Sequence, residues 1–230
     1  MEIPLYLAMT AAEFSSCDPL PQHPAWMSCR FSSSGNGLCN LPPNLPEGTL
    51  LILDDQTPPD GHDAFLIRRQ LEEIVNAHRC VGLLLDFQRP ESTETAEIAK
   101  TLLALPCPVC VSHLYANGLS CPVFLPPCPL ITPMSEHLAP WRSREIWLEA
   151  SLDSAAIIVT ETGSRVSHHP CHEDFPRKDT ILHCRYRIET LPNEVHFHLQ
   201  RHRDDLDQLM VDAAAHGVQR AVGLWQELCP

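Results

Sequence analysis

Three short apolar strands alternate with two helical segments between residues 49 and 113, and this order constrains the fold more than any other feature of the chain. Residues 49–53 and 81–85 are almost continuously apolar, which is typical of strands buried on both faces of a parallel sheet. Residues 63–78 and 92–105 carry apolar side chains at helical spacing. The β-α-β-α-β order therefore predicts parallel strands joined by right-handed crossovers.

Two α/β architectures fit this order, an open doubly wound sheet and a closed barrel. No G-x-G-x-x-G or G-x-x-x-x-G-K motif follows a strand, so a nucleotide-binding sheet is not favoured and no cofactor is expected. The number of strand segments favours a small (β/α)8 TIM-type barrel, and 230 residues fall near the lower end of its usual size, about 200 to over 400. We expect residues 1–230 to form one such domain.

The helical pattern fades between residues 145 and 199, where strand pairs take its place. Leu191-Pro-Asn-Glu194 has the composition of a hairpin turn. We therefore expect a β-hairpin insertion or missing helices in this region.

The charge of the chain excludes several classes of partner. Sixteen basic residues face 29 acidic ones, a net charge of −13, without a basic cluster, so neither nucleic acid nor an anionic membrane surface is an expected partner. No apolar run reaches the roughly 18 residues of a membrane span. The first residues lack a basic signal-peptide region, and the 11 cysteines are odd in number and dispersed, so we expect a cytoplasmic protein with reduced thiols.

Residues 65–90 resemble the helix and fourth strand of the family 18 glycoside hydrolases, the chitinase-like barrels. That strand carries D-G-x-D-x-D-x-E in the family, usually with an aromatic residue before the glutamate and a proline two residues after it. Gly82, Asp86, Phe87 and Pro90 match this pattern, whereas the first two aspartates are absent and Gln88 occupies the position of the glutamate.

Residues 194–225 are similar to the seventh strand, helix and eighth strand of the spore-associated, cell-wall-acting branch of that family. Gly217, Gly223 and Trp225 occupy the expected positions of this pattern. The resemblance implies that Trp225 forms the floor of a sugar site.

The family resemblance also implies a mechanism. The glutamate protonates the glycosidic oxygen while the acetamido group of the substrate attacks the anomeric carbon, and the neighbouring aspartate, here Asp86, orients that group. An amide has no proton to give, so Gln88 cannot be a general acid. We interpret the chain as a catalytically impaired, carbohydrate-interacting barrel with an amino-sugar oligosaccharide as ligand. An active glycosidase with a substitute acid, and a structural or interaction protein without a sugar ligand, remain the alternatives.

The predicted site residues come from the C-terminal ends of candidate strands, where a barrel assembles its site. Glu149 is included because Trp147-x-Glu149 resembles the aromatic-x-acid at the family's sixth strand. The predicted catalytic set is Gln88, Asp86 and Glu149. The predicted substrate-binding set is Trp225, Asp54, Asp55 and Tyr115.

Two other groups of residues could carry chemistry. Cys107 and Cys110 have C-x-x-C spacing, but they lie at the start of an apolar strand rather than at a helix N-terminus, so we interpret them as buried packing residues. The histidines of residues 168–172 could act as metal ligands together with His196 and His198, which share one face of a strand. Because their spacing matches no zinc module, we assign no metal site from the sequence.

Overall fold

Eight parallel strands form a closed barrel in the computed structural model, which describes residues 3–35, 37–168 and 175–229. In chain order the strands are β1 (Leu5–Met9), β2 (Pro24–Phe31), β3 (Leu38–Cys39), β4 (Leu50–Asp54), β5 (Gly82–Asp86), β6 (Val109–Ser112), β7 (Val123–Leu125), β8 (Ile146–Ala150), β9 (Ser154–Thr160), β10 (Gly163–His168), β11 (Arg177–Asp179), β12 (Cys184–Leu191), β13 (Glu194–Gln200) and β14 (Val218–Leu224). The helices are α1 (Ala11–Ser16), α2 (Ala64–His78), α3 (Thr93–Leu102), α4 (Met134–His137), α5 (Arg203–Ala215) and α6 (Trp225–Leu228), with a 3-10 turn at Ala139–Trp141.

The barrel contains β1, β2, β4, β5, β6, β7, β8 and β14 in that order. It closes because β1 pairs in parallel with both β14 and β2. The short β3 pairs antiparallel with the end of β2 and takes no part in the closure. The predicted (β/α)8 TIM-type architecture is confirmed.

The continuous apolar strands are buried on two sides, as their sequences indicate. On β4, Leu50 and Ile52 belong to a cluster to which all eight barrel strands contribute and which fills the barrel interior. Leu51 and Leu53 face outwards and join the core beneath α2 and α3. Trp147 is fully buried in the interior, and the guanidinium of Arg220 lies 4.6 Å from the centre of its ring system. A barrel interior closed by a large side chain is a packed core rather than a pore.

Local signals in the sequence set the boundaries of the two predicted helices. The Asp63 side chain accepts hydrogen bonds from the backbone N–H groups at the start of α2, and Arg79 ends the helix in the left-handed region at φ 48°. The Ser92 side chain accepts from Thr95 at the start of α3. Between β6 and β8, however, the described chain contains the four-residue α4 and a 3-10 turn in place of full crossover helices. This shortage of helices precedes residues 145–199, the region for which the sequence predicts it.

A five-stranded antiparallel sheet is inserted between β8 and α5, with strand order β10-β9-β13-β12-β11. The two residues between Leu191 and Glu194 connect β12 to β13, which confirms the predicted hairpin. One assignment is wrong: Glu194–Gln200 is β13 of this sheet and not the seventh barrel strand, which is β8. The physical reason is burial, since β13 is only partly buried along most of its length, whereas Ile-Trp-Leu of β8 is completely buried.

A buried arginine connects the inserted sheet to the barrel. Arg201 follows β13, is 1% exposed, and donates hydrogen bonds to the carbonyl oxygens of Cys128, Leu182 and His183. Beside it, Leu199 packs with Leu130 of the loop after β7 in a small apolar cluster. The inserted sheet thus packs against the barrel through one of its faces.

Candidate functional site

A cavity of about 60 Å³ lies at the C-terminal ends of the barrel strands, and two carboxylates line it. Asp86 enters from the end of β5 and Glu149 from β8, three strands further around the barrel. The other lining residues are apolar or glycine: Ala8, Met27, Ile52, Leu84, Phe124, Val222, Gly223 and Leu224. A larger groove on the outside of the barrel, between β1 and α5, is remote from these strand ends.

The side chain of Gln88 is attached to one of these carboxylates. Its Nε2 donates to Asp86 Oδ1 at 3.1 Å and to Oδ2 at 3.3 Å, while Gln88 itself is exposed at the barrel mouth. Burial raises the pKa of Asp86, the hydrogen bond from Gln88 opposes this, and the charges of Asp54 and Asp55 raise it further. The motif residues at positions 86 and 88 therefore form one hydrogen-bonded unit beside the cavity.

Glu149 has the properties of a carboxyl group that can hold a proton near neutral pH. Burial, followed by the negative charges of Asp86, Asp153 and Glu227, raises the pKa of Glu149 to about 7. A carboxyl group with such a pKa is protonated in a substantial fraction of molecules at pH 7 and can donate that proton. Chemically, the cavity contains one proton donor and one hydrogen-bond acceptor.

Asp54 and Asp55 are brought to the same rim, but their oxygens already have partners. Asp54 accepts from Arg30 Nε and from the backbone N–H of Gln56, both at 3.0 Å. Asp55 accepts from the backbone N–H groups of Gln88 and Arg89, both at 2.9 Å. Asp55 therefore holds the loop after β5 in position, and through it Gln88.

Tyr115 secures the same loop from the other side. Its hydroxyl lies 2.9 Å from the carbonyl oxygen of Arg89 and 3.1 Å from that of Pro90, to which it donates. Its ring packs edge-to-face on the buried ring of Phe87, with 5.5 Å between centroids. The structure thus surrounds Tyr115 with protein groups rather than placing it along the cavity wall.

Trp225 is the first residue of α6 and is half-buried. The preceding residue, Leu224, lines the cavity, whereas Trp225 is not among its lining residues. Gly223 also lines the cavity, where an added Cβ would meet Leu228 Cδ1 at 2.4 Å and the Ala150 carbonyl oxygen at 2.7 Å. The glycine at this position therefore permits close packing at the end of β14.

Sequence reasoning missed several residues of the site. Met27 and Phe124 form part of its apolar wall, and nothing in a strand pattern distinguishes a wall residue from any other inward-facing apolar one. Arg30 pairs with Asp54 at a side-chain distance of 3.0 Å and lies beside it in the register of β2 and β4. Its position at the end of a barrel strand was the signal that could have identified it.

The histidine-rich region is only partly described. Residues 169–174 and the side chain of His168 lie outside the described residues, so the motif at 168–172 stays untested. Among the described residues, Glu189, His196 and His198 lie together on the inserted sheet, with their nearest ligand atoms within 4.8 Å of one another.

Burial raises the pKa of the thiols in the core, to about 12 for Cys29 and about 11 for Cys107. The described cysteines form no disulfide with one another, and Cys107 and Cys110 are partly and fully buried, respectively. Among the described residues, no helix is both long enough and apolar enough to cross a membrane.

No protein-family model matches the chain, and a search of curated proteins gives no match. Solved structures do match. A GH18 chitinase from Cycas revoluta in complex with (GlcNAc)3 is 11% identical, with 96% of this chain and 94% of that chain covered and a TM-score of 0.59. The Bacillus cereus spore cortex-lytic enzyme SleL is 10% identical, with 97% of this chain and 71% of that chain covered and a TM-score of 0.55. The barrel and these matches confirm the predicted resemblance in architecture: the chain has the fold of the GH18 chitinases and of the spore cortex-lytic enzyme SleL.

Proposed function

We propose that this protein is a catalytically impaired relative of the glycoside hydrolases that binds an N-acetylated amino-sugar oligosaccharide at the C-terminal mouth of its barrel. The observation that carries the proposal is the hydrogen bond from the Gln88 amide to Asp86 beside the cavity. An amide occupies the position of the acid, so the proton for the leaving group is lost, while the acceptor that would orient an acetamido group is retained.

The size and chemistry of the cavity support a small acylamino group as the part of the ligand that enters. A volume of about 60 Å³ is far below the roughly 300–1,000 Å³ of sites that enclose a whole small molecule. The Asp86 carboxylate would accept the amide N–H, and the side chains of Met27 and Phe124 would contact the methyl group. The sugar rings would then lie on the rim, near the exposed Gln88.

A second function, hydrolysis of N-acetylhexosamine polymers, is favoured by one specific observation. Glu149 shares the cavity with Asp86, and its pKa is raised to about 7 by burial and then by the charge of Asp86. A carboxyl group with this pKa is suited to general acid catalysis near neutral pH. In this alternative Glu149 replaces the missing acid, and Asp86 keeps its orienting role.

The location is proposed to be a reducing compartment, consistent with a cytoplasmic protein. The described cysteines are unpaired, and those in the core are buried packing residues. A ligand would then be met inside the cell.

Calorimetric titration with a chitin tetrasaccharide tests binding. We expect the wild-type protein to bind with a dissociation constant in the micromolar to millimolar range and Asp86→Ala to bind at least tenfold more weakly. The dissociation constant of Asp60→Ala, which replaces an exposed aspartate after β4, should be unchanged. If the wild-type protein does not bind at millimolar ligand, the sugar-binding proposal is wrong.

Turnover of a fluorogenic chitobioside between pH 4 and 8 separates the two functions. Binding without turnover supports the impaired protein. Turnover that is lost in Glu149→Gln establishes the glycosidase. Absence of both binding and turnover would leave a structural or interaction protein, the third interpretation of the sequence.

A further inference from the structure

We propose that Glu189, His196 and His198 form a binding site for a divalent transition-metal cation, with Zn²⁺ as the best-matched ion, on the inserted sheet. His196 and His198 are two residues apart on β13, so their side chains leave the same face of the sheet. Glu189 lies on β12 directly opposite His196 in the antiparallel register. The three side chains thus converge by strand geometry, and this site is independent of the proposed function.

The spacing of the ligand atoms suits a tetrahedral ion. The nearest ligand atoms of all three side chains lie within 4.8 Å of one another. His198 Nε2 is 3.6 Å from Glu189 Oε2. Two ligand atoms bound to one tetrahedral Zn²⁺ at their usual bond lengths lie about 3.3 Å apart. Small side-chain rotations would therefore bring this pair to coordination distance without any movement of the backbone.

The two imidazole nitrogens that face the carboxylates lack hydrogen bonds to the described residues. Nε2 of His196 and Nε2 of His198 are buried, and neither forms a hydrogen bond within the described part of the chain. Glu194 Oε1 lies 2.9 Å from His196 Nε2, although without hydrogen-bond geometry, and would provide a fourth ligand. A buried nitrogen without a hydrogen bond is unfavourable, and a cation would satisfy both nitrogens at once.

The donor set and the local charges decide the class of ion. Two imidazoles with one or two carboxylates suit Zn²⁺, Co²⁺ or Ni²⁺, whereas Mg²⁺ and Ca²⁺ prefer oxygen ligands alone. By strand register, Arg165, Arg185 and Arg187 lie on the same face as the two histidines. Glu189 and Glu194 lie directly against the histidine nitrogens, at 3.6 Å and 2.9 Å, so the charge that a bound cation would contact is negative.

The competing arrangement consists of two simple ion pairs, between Glu189 and His198 and between Glu194 and His196. Each ion pair joins one carboxylate to one histidine, whereas a metal site needs both histidines and a carboxylate at one ion. Metal binding that is lost on replacing Glu189 or His198 therefore distinguishes the two arrangements.

The opposite face of the sheet, which includes Leu199, packs on the barrel. The proposed site therefore lies on the outer face, away from the cavity at the barrel mouth. A cation here would link β12 to β13 and hold the hairpin together.

Titration of the whole protein with Zn²⁺ and Co²⁺ at pH 7.5 tests the site. We expect one equivalent to bind in the wild-type protein, with the visible absorption of four-coordinate Co²⁺. Glu189→Gln, which preserves the shape of the side chain, and His198→Ala should each weaken binding at least about tenfold. The matched control is His216→Ala, which removes a histidine lying 3.2 Å from the Asp212 carboxylate on α5, and it should bind like the wild type.

Thermal unfolding provides a second readout that does not depend on the absorption. Saturating Zn²⁺ should raise the melting temperature of the wild-type and His216→Ala proteins by about 5 °C and leave that of Glu189→Gln unchanged. The proposal is overturned if Co²⁺ binding is unchanged in Glu189→Gln and His198→Ala. It is equally overturned if the bound Co²⁺ shows a thiolate charge-transfer band, because the proposed ligands include no cysteine.

Discussion

Asp86 and Glu149 line the same cavity from different barrel strands, and burial together with the charge of Asp86 raises the pKa of Glu149 to about 7. Two carboxylates that share a partly desolvated site cannot both ionise easily, because each charge opposes the other. In this pair Asp86 has the hydrogen bonds of the Gln88 amide, which favour its charged form. The proton is therefore retained mainly by Glu149.

The raised pKa of Glu149 predicts how stability depends on pH. Between about pH 4.5 and pH 7 the Glu149 carboxyl keeps a proton in the folded protein and releases it in the unfolded chain. Glu149 therefore stabilises the fold fully below pH 4.5, and this contribution is lost as the pH rises through 7. The unfolding free energy of Glu149→Gln should therefore rise by roughly 2–3 kcal/mol relative to that of the wild type between pH 4.5 and pH 8. Urea unfolding of both proteins at the two pH values measures this difference.

Glu97→Gln is the matched control, because Glu97 is exposed on α3. Its unfolding free energy should follow that of the wild type at both pH values. A Glu149→Gln variant whose stability ran parallel to the wild type would contradict the raised pKa.

Gln88→Glu should convert a binding site into a catalytic one. Gln88 is exposed and already positioned against Asp86, so a glutamate of the same length can take its place without disturbing the core. General acid catalysis contributes about 100- to 10,000-fold, so we expect turnover of the fluorogenic chitobioside to rise at least about 100-fold. Gln88→Ala, which supplies no acid, should show no such rise. Binding without any gain in turnover in Gln88→Glu would contradict the assigned role of position 88.

Asp55→Ala should loosen the loop after β5. The substitution removes two hydrogen bonds from a buried carboxylate to backbone N–H groups of Gln88 and Arg89, for which we expect a loss of about 3 kcal/mol in unfolding free energy. Faster amide exchange at these two N–H groups would locate the effect. Asp60→Ala, at an exposed aspartate, should change stability little, and equal losses in the two variants would argue against a specific role for Asp55.

Arg201→Ala should weaken the connection between the inserted sheet and the barrel. Three carbonyl oxygens lose their donor and a buried cavity is left, so we expect the unfolding free energy to fall by about 3–5 kcal/mol. Thermal unfolding followed by circular dichroism measures it, with Arg165→Ala on the exposed part of β10 as the control. A loss below about 1 kcal/mol would indicate that packing at Leu199 alone holds the sheet.

Local patterns predicted the parts of the fold that local physics controls. The apolar runs at β4 and β5 predicted strands buried on both sides, and the helical spacing of apolar residues over 63–78 and 92–105 predicted α2 and α3. The hairpin between β12 and β13 followed from its turn composition. By contrast, β13 was assigned to the barrel, because a half-buried strand of an added sheet and a barrel strand look alike when their partners are unknown.

The sequence by itself determined the α/β order and the resemblance around Asp86 and Gln88. Only the tertiary structure decided which strand ends meet. It placed Glu149 in the cavity with Asp86, used the oxygens of Asp55 and Tyr115 to hold a loop, and brought Glu189 against two histidines. The physical reason is that closure of the barrel and pairing between strands join residues that are far apart in the chain, and these contacts set burial, charge and hydrogen bonding together.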